Sequence, residues 1–323
     1  YDAKFWFIDN FTPKYNWKPT PTEETSRYKS DNKSFTYLWD NYFLFDHTFA
    51  EKHRVGLMAG MSAQWNTNDY LNAQKNVFMF DNVHEMDNGE EMYAIGGNET
   101  EWALLSYMAR VNYSYEDRYL LTATIRRDGS SRFGKENKWG TFPSAAFAWR
   151  VNQESFLRDV SWIDNLKLRV SYGIVGNKNG IGNYTTLGLA DNKGYEFGNV
   201  FQMGYLPGKE LSNPNLKWEQ SATANFGVDF SFFNGRLNGT VEYYNTHTKD
   251  LLVKRSLNAS LGYTTMLDNL GKTKSSGIDL SLNGDVVRTK EFTWTLGTNF
   301  SMYKNEIVRI DNTLDENGKP ASQ

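Results

Sequence analysis

The sequence predicts an all-β protein, specifically an antiparallel transmembrane β-barrel segment with short turns at one end and long loops at the other. Three observations support this prediction: about ten stretches with a period of two, connections that alternate short and long, and tyrosine and tryptophan near the strand ends. A period of two places successive side chains on opposite faces of a strand. Each predicted strand therefore has one apolar and one polar face.

The composition excludes several classes of protein. The chain has 323 residues, is 39% hydrophobic and 15% aromatic, and has a mean hydropathy of −0.63. No run approaches the roughly 20 apolar residues of a membrane helix, whereas a transmembrane strand of about 9–11 alternating residues averages out to polar. A net charge of −3 gives no reason to expect nucleic acid as a partner. Without cysteine there is no disulfide, thiol catalysis or zinc ribbon.

The clearest hairpin lies in residues 119–151, where two alternating runs flank a glycine-rich and charged turn region. One face of this hairpin carries Leu121, Ala123, Ile125, Phe147, Trp149 and Val151. The other face carries Thr122, Thr124, Arg126, Ala146, Ala148 and Arg150. The same pattern predicts strands around residues 33–50, 55–64, 105–114, 166–174, 226–233, 237–244, 278–286 and 292–300. In the first of these the register is ambiguous, because either Phe43 or Tyr42 could belong to the apolar face.

The connections between these strands alternate in length. Short ones lie at residues 51–53, 116–118 and 234–235, where Asn234–Gly235 is a strong hairpin signal. Long ones are predicted at residues 66–100, 176–217 and 249–274, while the one at residues 128–140 is of medium length and the one near residues 154–164 is fairly short. A transmembrane barrel has short periplasmic turns and long extracellular loops. A soluble β-sandwich, the alternative, has a turn every 8–12 residues and no reason to keep every second loop short.

Several stretches resemble one protein family. Residues 126–134 (RRDGSSRFG) and 139–151 (WGTFPSAAFAWRV) are similar to the hallmark hairpin of SusC/RagA-type TonB-dependent outer-membrane transporters. Residues 211–237 (LSNPNLKWEQSATANFGVDFSFFNGRL), continued by 243–252 (YYNTHTKDLL), resemble a second signature, and residues 261–282 (LGYTTMLDNLGKTKSSGIDLSL) a third. The resemblance covers residues 33–323, which we interpret as part of the receptor's β-barrel domain. Residues 1–32 show no sustained period and are predicted to be an irregular extracellular loop.

The resemblance implies a barrel of 22 strands around an N-terminal plug, of which this chain supplies about ten strands. It also implies import of glycans or peptides together with a SusD-like surface lipoprotein, with energy relayed by TonB through an N-terminal region that these residues do not include. The expected location is the outer membrane, with membrane lipid against the apolar face. Substrate identity is not contained in the sequence.

The polar face supplies the first set of candidate residues, which we expect to face the barrel lumen: Arg110, Arg126, Arg150, Arg169, Asp229 and Glu242, with Lys167, Asp279 and Asp285 beside them. They could contact the plug or the substrate. The alternative, which we favour for most of them, is that a barrel interior is polar in any case and holds internal ion pairs.

The long loops supply the second set, as candidate ligand contacts: Trp65, Trp102, Tyr184, Tyr195, Phe197 and Trp218. A sugar ring stacks on an aromatic face, and such loops often carry function. Packing within the loops, or contact with a lipoprotein partner, explains the same residues equally well.

An enzymatic function has little support, because the four histidines are scattered without a nucleophile or metal-ligand spacing around them. We therefore expect no catalytic residue, no cofactor and no metal site. Two rival functions are a plugless diffusion porin and a soluble adhesin or carbohydrate-binding β-domain. A plug domain upstream would exclude the porin, and lipid-accessible labelling of the apolar face in residues 166–174 would exclude the soluble domain.

Overall fold

The computed structural model describes residues 1–15, 24–80, 82–198 and 200–310. Fourteen strands lie within them. They are β1 Asp2–Thr12, β2 Ser26–Phe49, β3 His53–Phe78, β4 Gly89–Tyr115, β5 Tyr119–Ser130, β6 Trp139–Arg150, β7 Ile163–Asn177, β8 Ala190–Phe197, β9 Val200–Pro207, β10 Glu210–Leu211, β11 Glu219–Phe232, β12 Leu237–Ser256, β13 Thr265–Arg288 and β14 Thr293–Arg309. Short 3-10 turns lie at Met86–Asn88, Lys135–Asn137, Val151–Gln153 and Ala259–Leu261.

Twelve of these strands form one sheet in which sequence neighbours are also neighbours in space. The order runs from β1 to β7 and continues through β11, β12, β13 and β14. The long strands are antiparallel, and β10 adds a parallel contact of two residue pairs to β13. The strands β8 and β9 pair only with each other, as a separate hairpin. All ten predicted strands are present, as β2 to β7 and β11 to β14, so the antiparallel all-β prediction is confirmed.

The short turns lie at one end of the sheet, where each is hydrogen-bonded to the next. The amide of Glu116 donates to the carbonyl of Lys52 at 2.8 Å, and that of Arg150 donates to Arg118 at 2.8 Å. Further along, Asp285 donates to Arg236 at 2.8 Å. This row of bonds ties the β2–β3, β4–β5 and later turns together, and we call it the short-turn end.

Three of these turns use the left-handed backbone at both central residues. One is the predicted Asn234–Gly235 turn, with φ angles of 53° and 76°. In the other two, the φ angles are 47° and 58° at Ala50 and Glu51, and 49° and 52° at Glu116 and Asp117. Such turns match the right-handed twist of the flanking strands. None of these four residues is glycine or asparagine, so the sequence carries little turn signal there. The predicted 51–53 turn is accordingly centred one to two residues earlier.

Contacts across β2 and β3 decide the face that the sequence left open. The guanidinium of Arg54 donates to the carboxylate of Asp46, with Nε–Oδ1 at 3.3 Å. Tyr42 lies on the same side, over Gly60, where a Cβ would be 2.5 Å from its ring. Tyr42 and Asp46 therefore belong to the polar face, and Phe43 and Phe45 to the apolar face.

The prediction of an irregular segment over residues 1–32 is wrong for its first part. Residues Asp2–Thr12 form β1, paired with β2 in a continuous antiparallel register from Asp2↔Thr36 to Thr12↔Ser26. Most of β1 is exposed on both faces, so the aromatic residues show no period of two that sequence reading could use. The middle of that segment, residues 16–23, lies outside the described residues.

Two predicted long connections are also mostly strand. β3 continues to Phe78 and β4 begins at Gly89, inside the predicted 66–100 loop. β12 continues to Ser256 and β13 begins at Thr265, inside the predicted 249–274 loop. Backbone hydrogen bonding continues where the apolar face ends, because the ladder itself does not need an apolar face. The predicted 176–217 loop contains the β8–β9 hairpin and β10.

The chain divides into two compact units. The first comprises Tyr1–Trp39 and Ser62–Leu104, and the second Asp40–Met61 and the chain from Leu105 onward. In the first unit, Arg27 binds the carboxylate of Asp9 through two bonds of 2.9 and 2.8 Å. In the second, buried apolar side chains gather in the connection after β5, near the beginning of β6 and just before β11.

Candidate functional site

The polar face of β7, β11 and β12 carries a bonded group of charges. Arg169 donates two hydrogen bonds of 2.8 Å to the carboxylate of Asp229 and a third to Glu242. The carboxylate of Asp229 also lies 3.0 Å from Nζ of Lys167 and accepts a hydrogen bond of 3.1 Å from the Thr240 hydroxyl. The structure therefore brings three predicted lumen residues together, as a satisfied ion-pair network.

Gly227 makes this network possible. It lies between Arg169 on β7 and Glu242 on β12 in the register of the sheet. A Cβ at Gly227 would be 3.0 Å from Cζ of Arg169, so the guanidinium crosses β11 over the glycine. Glycine in a strand interior often marks a close approach of this kind, and this signal in the sequence could have found the position.

The other predicted polar-face arginines lie in separate groups. Arg126 binds Asp128 at 2.8 Å and the hydroxyl of Ser106 at 3.0 Å. Arg110 donates to the hydroxyl of Thr124 at 3.3 Å. Arg150 ends β6, and its amide takes part in the row of bonds at the short-turn end. Asp279 accepts a hydrogen bond from Ser301, and Asp285 one from Thr295.

A buried cluster lies at the end of the sheet opposite the short turns, and we call it the loop cluster: Phe133, Phe142, Leu216 and Trp218. Phe133 is 1% exposed and Leu216 is fully buried. The ring centroid of Trp218 lies 4.8 Å from that of Phe133 and 5.5 Å from that of Phe142. Its indole Nε1 donates to the carbonyl of Lys138 at 3.1 Å.

The cluster joins the sequence stretches that resemble family signatures. Gly134 lies against Pro214, whose carbonyl oxygen would be 1.9 Å from a Cβ at that position. Asn213 donates to the carbonyl of Leu267 at 3.1 Å. Asn269 exchanges two 2.9 Å hydrogen bonds with the backbone of Lys217. The three stretches are therefore one packed unit, and Gly134 and Asn213 are structural positions that the period-of-two analysis missed.

Three of the six predicted ligand aromatics do not lie in exposed loops. Trp218 is 5% exposed in the loop cluster, where it contacts the rings of Phe133 and Phe142, so it is not an exposed platform of the kind that the sequence predicted. Trp65 lies in β3 and stacks on Tyr37, with ring centroids 5.0 Å apart. Trp102 lies within β4. The last two flank the predicted 66–100 loop, and both lie in strands.

The other three do lie in the long connection after β7. Tyr184 is half-buried there. Tyr195 and Phe197 belong to β8 and are 54% and 76% exposed. They lie on the hairpin Ala190–Pro207, which we call the apolar hairpin because Val200, Phe201, Met203, Tyr205 and Leu206 on its second strand are also more than half exposed.

Apolar side chains lie on both faces of the apolar hairpin. The ring of Phe201 covers Gly194 on one face, and the ring of Tyr195 covers Gly204 on the other. Both strands are exposed along almost their whole length. Exposed apolar patches are typical of surfaces that bind a partner or a ligand.

Two rows of aromatic side chains mark the apolar face of β4, β5 and β6. The inner ladder, near the short turns, is Tyr115, Tyr119 and Trp149, with successive ring centroids 6.4 Å apart. The outer ladder is Tyr107 and Trp139, 6.0 Å apart, with the guanidinium of Arg127 5.4 Å from the Trp139 ring. Between them the same face carries Ala109, Val111, Tyr113, Leu121, Ala123, Ile125, Thr141, Pro143, Ala145 and Phe147.

A carboxylate fixes the inner ladder to the connection after β6. Glu154 accepts hydrogen bonds from the Tyr119 hydroxyl at 2.6 Å and from Trp149 Nε1 at 2.9 Å. Arg118 donates to its second oxygen at 3.0 Å. These bonds, that from Tyr119 first, lower the pKa of Glu154. Two ladder rings therefore share one anchor.

Within the described ranges, no group of histidine, aspartate and glutamate side chains is arranged to hold a metal ion. Nor does any helix in that part of the chain have the length and apolar character needed to span a membrane.

The family model described as TonB dependent receptor-like, beta-barrel matches residues 1–323. The chain belongs to this family. It is 36% identical over 291 residues to TonB-dependent receptor P39 of Formosa agariphila, covering 89% of the chain and 27% of the relative. It is 41% identical over 217 residues to TonB-dependent receptor SusC of Bacteroides thetaiotaomicron, covering 65% of the chain and 21% of the relative.

Solved structures agree with this assignment. The RagAB peptide importer in the closed-closed state matches with a TM-score of 0.83 and 25% identity, over 97% of this chain and 35% of that one. The SusC/RagA-type resemblance predicted from the sequence is therefore confirmed. The chain spans about a quarter of the curated relatives and a third of the solved transporter chain. The relatives are receptors and transporters.

Proposed function

We propose that this chain forms part of the barrel of a TonB-dependent importer in the outer membrane, which takes up glycans or peptides together with a SusD-like surface lipoprotein. TonB relays energy through a part of the protein outside these 323 residues. The chain itself has no enzymatic role in this proposal. The names of the similar proteins, which include SusC and a peptide importer, support import over other receptor functions.

The observation that carries the membrane assignment is the spacing of the two aromatic ladders. Tyr119 and Arg127 are eight positions apart on β5, and Trp139 and Trp149 are ten apart on β6. At about 3.4 Å per residue this is roughly 27–34 Å along a strand, which suits a tilted strand that crosses a bilayer. Aromatic rows at both ends of an apolar band are typical of membrane–water interfaces.

This assignment gives the chain an orientation. The short-turn end lies in the periplasm, and the loop cluster and the apolar hairpin lie outside the cell. The apolar face contacts lipid, and the polar face lines the interior. The Arg169 network then acts mainly as an internal ion pair that holds β7, β11 and β12 together, and the Arg110, Arg126 and Arg150 side chains face the same interior.

In this proposal the apolar hairpin contacts the lipoprotein or the imported ligand. A two-stranded hairpin is marginally stable by itself in water, and this one exposes aromatic side chains on both faces. Tyr195 and Phe197 are accordingly the ligand or partner contacts that we retain from the sequence analysis. Trp218 is buried and instead packs inside the loop cluster, where it stabilises the loops.

Heat-modifiability of the complete protein on a gel tests the barrel, and co-purification tests the partner. We expect an unboiled sample to migrate differently from a boiled one, and a surface lipoprotein to co-purify in mild detergent. A monomer that needs no detergent and migrates identically after boiling would contradict the membrane assignment. Replacing Tyr195 and Phe197 by serine should reduce the recovery of the lipoprotein, or the uptake of ligand, while the barrel remains heat-modifiable.

A further inference from the structure

Arg127 is the one charged side chain on the apolar face of β4, β5 and β6 between Tyr107 and Trp149, residues that the structure describes throughout. Its neighbour Arg126 points to the opposite face, because successive residues of a strand alternate. Arg127 lies at the outer ladder, eight positions from Tyr119 and beside Trp139. The positive charge of Arg127 therefore lies where the apolar face ends, next to the outer ladder.

Arg127 differs from Arg126 and Arg169 of the polar face in its contacts. Arg126 and Arg169 each bind a carboxylate at 2.8 Å. Within the described part of the chain, no carboxylate lies within ion-pair distance of Arg127, and its guanidinium instead lies 5.4 Å from the Trp139 ring centroid. The side chain is exposed, and so are Trp139 at 42% and Tyr107 at 48%. The charge is therefore positioned by an aromatic ring and is open to an external anion.

The chemistry of this group favours a phosphate. A guanidinium presents a planar set of donors that matches two phosphate oxygens at once. The contact with the Trp139 ring restricts the side chain, which stays exposed to solvent. The phenol of Tyr107 and the indole of Trp139 can each donate one hydrogen bond while their rings remain against apolar surface.

The surroundings indicate that this phosphate is carried by a lipid. Directly below Arg127, the same face presents Ile125, Ala123 and Leu121, on which acyl chains can lie. A free phosphate ion makes no use of this apolar face, whereas a lipid engages the cation and the apolar residues together. We propose that Arg127, Trp139 and Tyr107 form a binding site for the phosphate group of an anionic glycolipid of the outer leaflet. The inference rests on the proposed membrane location.

Native mass spectrometry of the complete protein in mild detergent tests the site. The wild type is titrated with diphosphoryl lipid A, with the same glycolipid lacking phosphate, and with inorganic phosphate. We expect the diphosphorylated form to bind more tightly than the other two. In Arg127→Gln its apparent affinity should fall about tenfold, which is the usual effect of losing one charged hydrogen-bonding partner. Arg127→Lys should lie between the two, because lysine keeps the charge without the planar donor set.

Two matched variants control for general charge effects. Arg126→Gln removes the adjacent charge on the other face, and Lys304→Gln removes an exposed cation that already pairs with Glu306. Both should bind the diphosphorylated glycolipid as the wild type does. Unchanged binding in Arg127→Gln, an equal loss in either control, or equally tight binding of inorganic phosphate would each overturn the site.

The heat-modifiability gel separates this inference from the proposed function. If the wild type is heat-modifiable and Arg127→Gln binds lipid normally, only the lipid site is refuted. If the wild type is not heat-modifiable, the membrane assignment fails first. Each variant is run on the same gel, so that a variant that does not fold is recognised and excluded before its lipid binding is scored.

Discussion

Replacing Gly134 by alanine should loosen the loop cluster. The backbone of Gly134 has φ −61°, which any residue adopts, so the only obstacle to a side chain is Pro214. A Cβ would lie 1.9 Å from the Pro214 carbonyl oxygen, and the two segments must separate by about 1.1 Å to reach the 3.0 Å below which real Cβ contacts essentially never fall. Since the obstacle is backbone, no side-chain rotation relieves it.

The size of the effect follows from the two side chains that this separation uncovers. Burying Phe133 and Leu216 contributes about 1.5–3 kcal/mol each. A gap of about 1 Å removes roughly a quarter to a half of the contact energy of the groups that line it. The local free energy of opening should therefore fall by about 1–3 kcal/mol, which corresponds to a roughly 5- to 150-fold change in the equilibrium.

Hydrogen exchange measured by mass spectrometry tests this prediction on the complete protein. Amide protection in residues 213–218 should fall by that factor in Gly134→Ala. Gly188→Ala is the matched control, because its Cβ would be 3.7 Å from the nearest atom, the Ser212 hydroxyl. If Gly134→Ala keeps the protection of the wild type, the argument that the two sequence stretches brace each other through this contact is refuted.

Three further predictions concern the charged groups and the apolar hairpin. Arg169→Gln should destabilise the barrel by about 1–2 kcal/mol, because the part-exposed Asp229 loses its bidentate partner, and should lower the temperature of the gel-shift transition. The pKa of Glu154 is lowered in the folded protein, so the ionised carboxylate stabilises the fold above pH ~4.5, and this stabilisation is lost as the pH falls through the lowered value. Glu154→Gln should therefore make the stability of the protein less sensitive to acid. The double replacement of Tyr195 and Phe197 by serine should change the free energy of unfolding by no more than about 0.5 kcal/mol, because both side chains are exposed, while partner recovery or uptake falls.

Each of these predictions has a contrary outcome. An unchanged transition in Arg169→Gln would mean that the network adds nothing to the fold. Equal acid sensitivity of Glu154→Gln and the wild type would assign the pH effect to other carboxylates. A large loss of stability in the double serine variant would place the apolar hairpin in a structural role.

A period of two identified all ten strands whose apolar and polar faces differ along their length. The hairpin of residues 119–151 is the clearest case, because Leu121 and Phe147 alternate with threonine, alanine and arginine. The same period placed Arg126, Arg169 and Asp229 on one face before any contact was known. What the period could not decide was the face of Phe43 and Tyr42, since both sets are aromatic.

Stretches that are polar or aromatic on both sides gave no such signal. β1, the far ends of β3 and β12, and the apolar hairpin are held by backbone hydrogen bonds, which any residue except proline can make. The alternation of apolar and polar residues therefore cannot predict these strands. Their existence depends on a neighbouring strand being present to pair with, and that is a property of the folded sheet.

The sequence by itself determined the fold class, the family and which residues share the polar face, because these depend on local alternation and on the order of motifs. Only the tertiary structure decided which residues touch. It buried Trp218 between Phe133 and Phe142, and it placed Arg169 across Gly227 onto Glu242. It also brought Arg127 to the ring of Trp139. These contacts join residues far apart in the chain, and their geometry is set by strand register and loop packing.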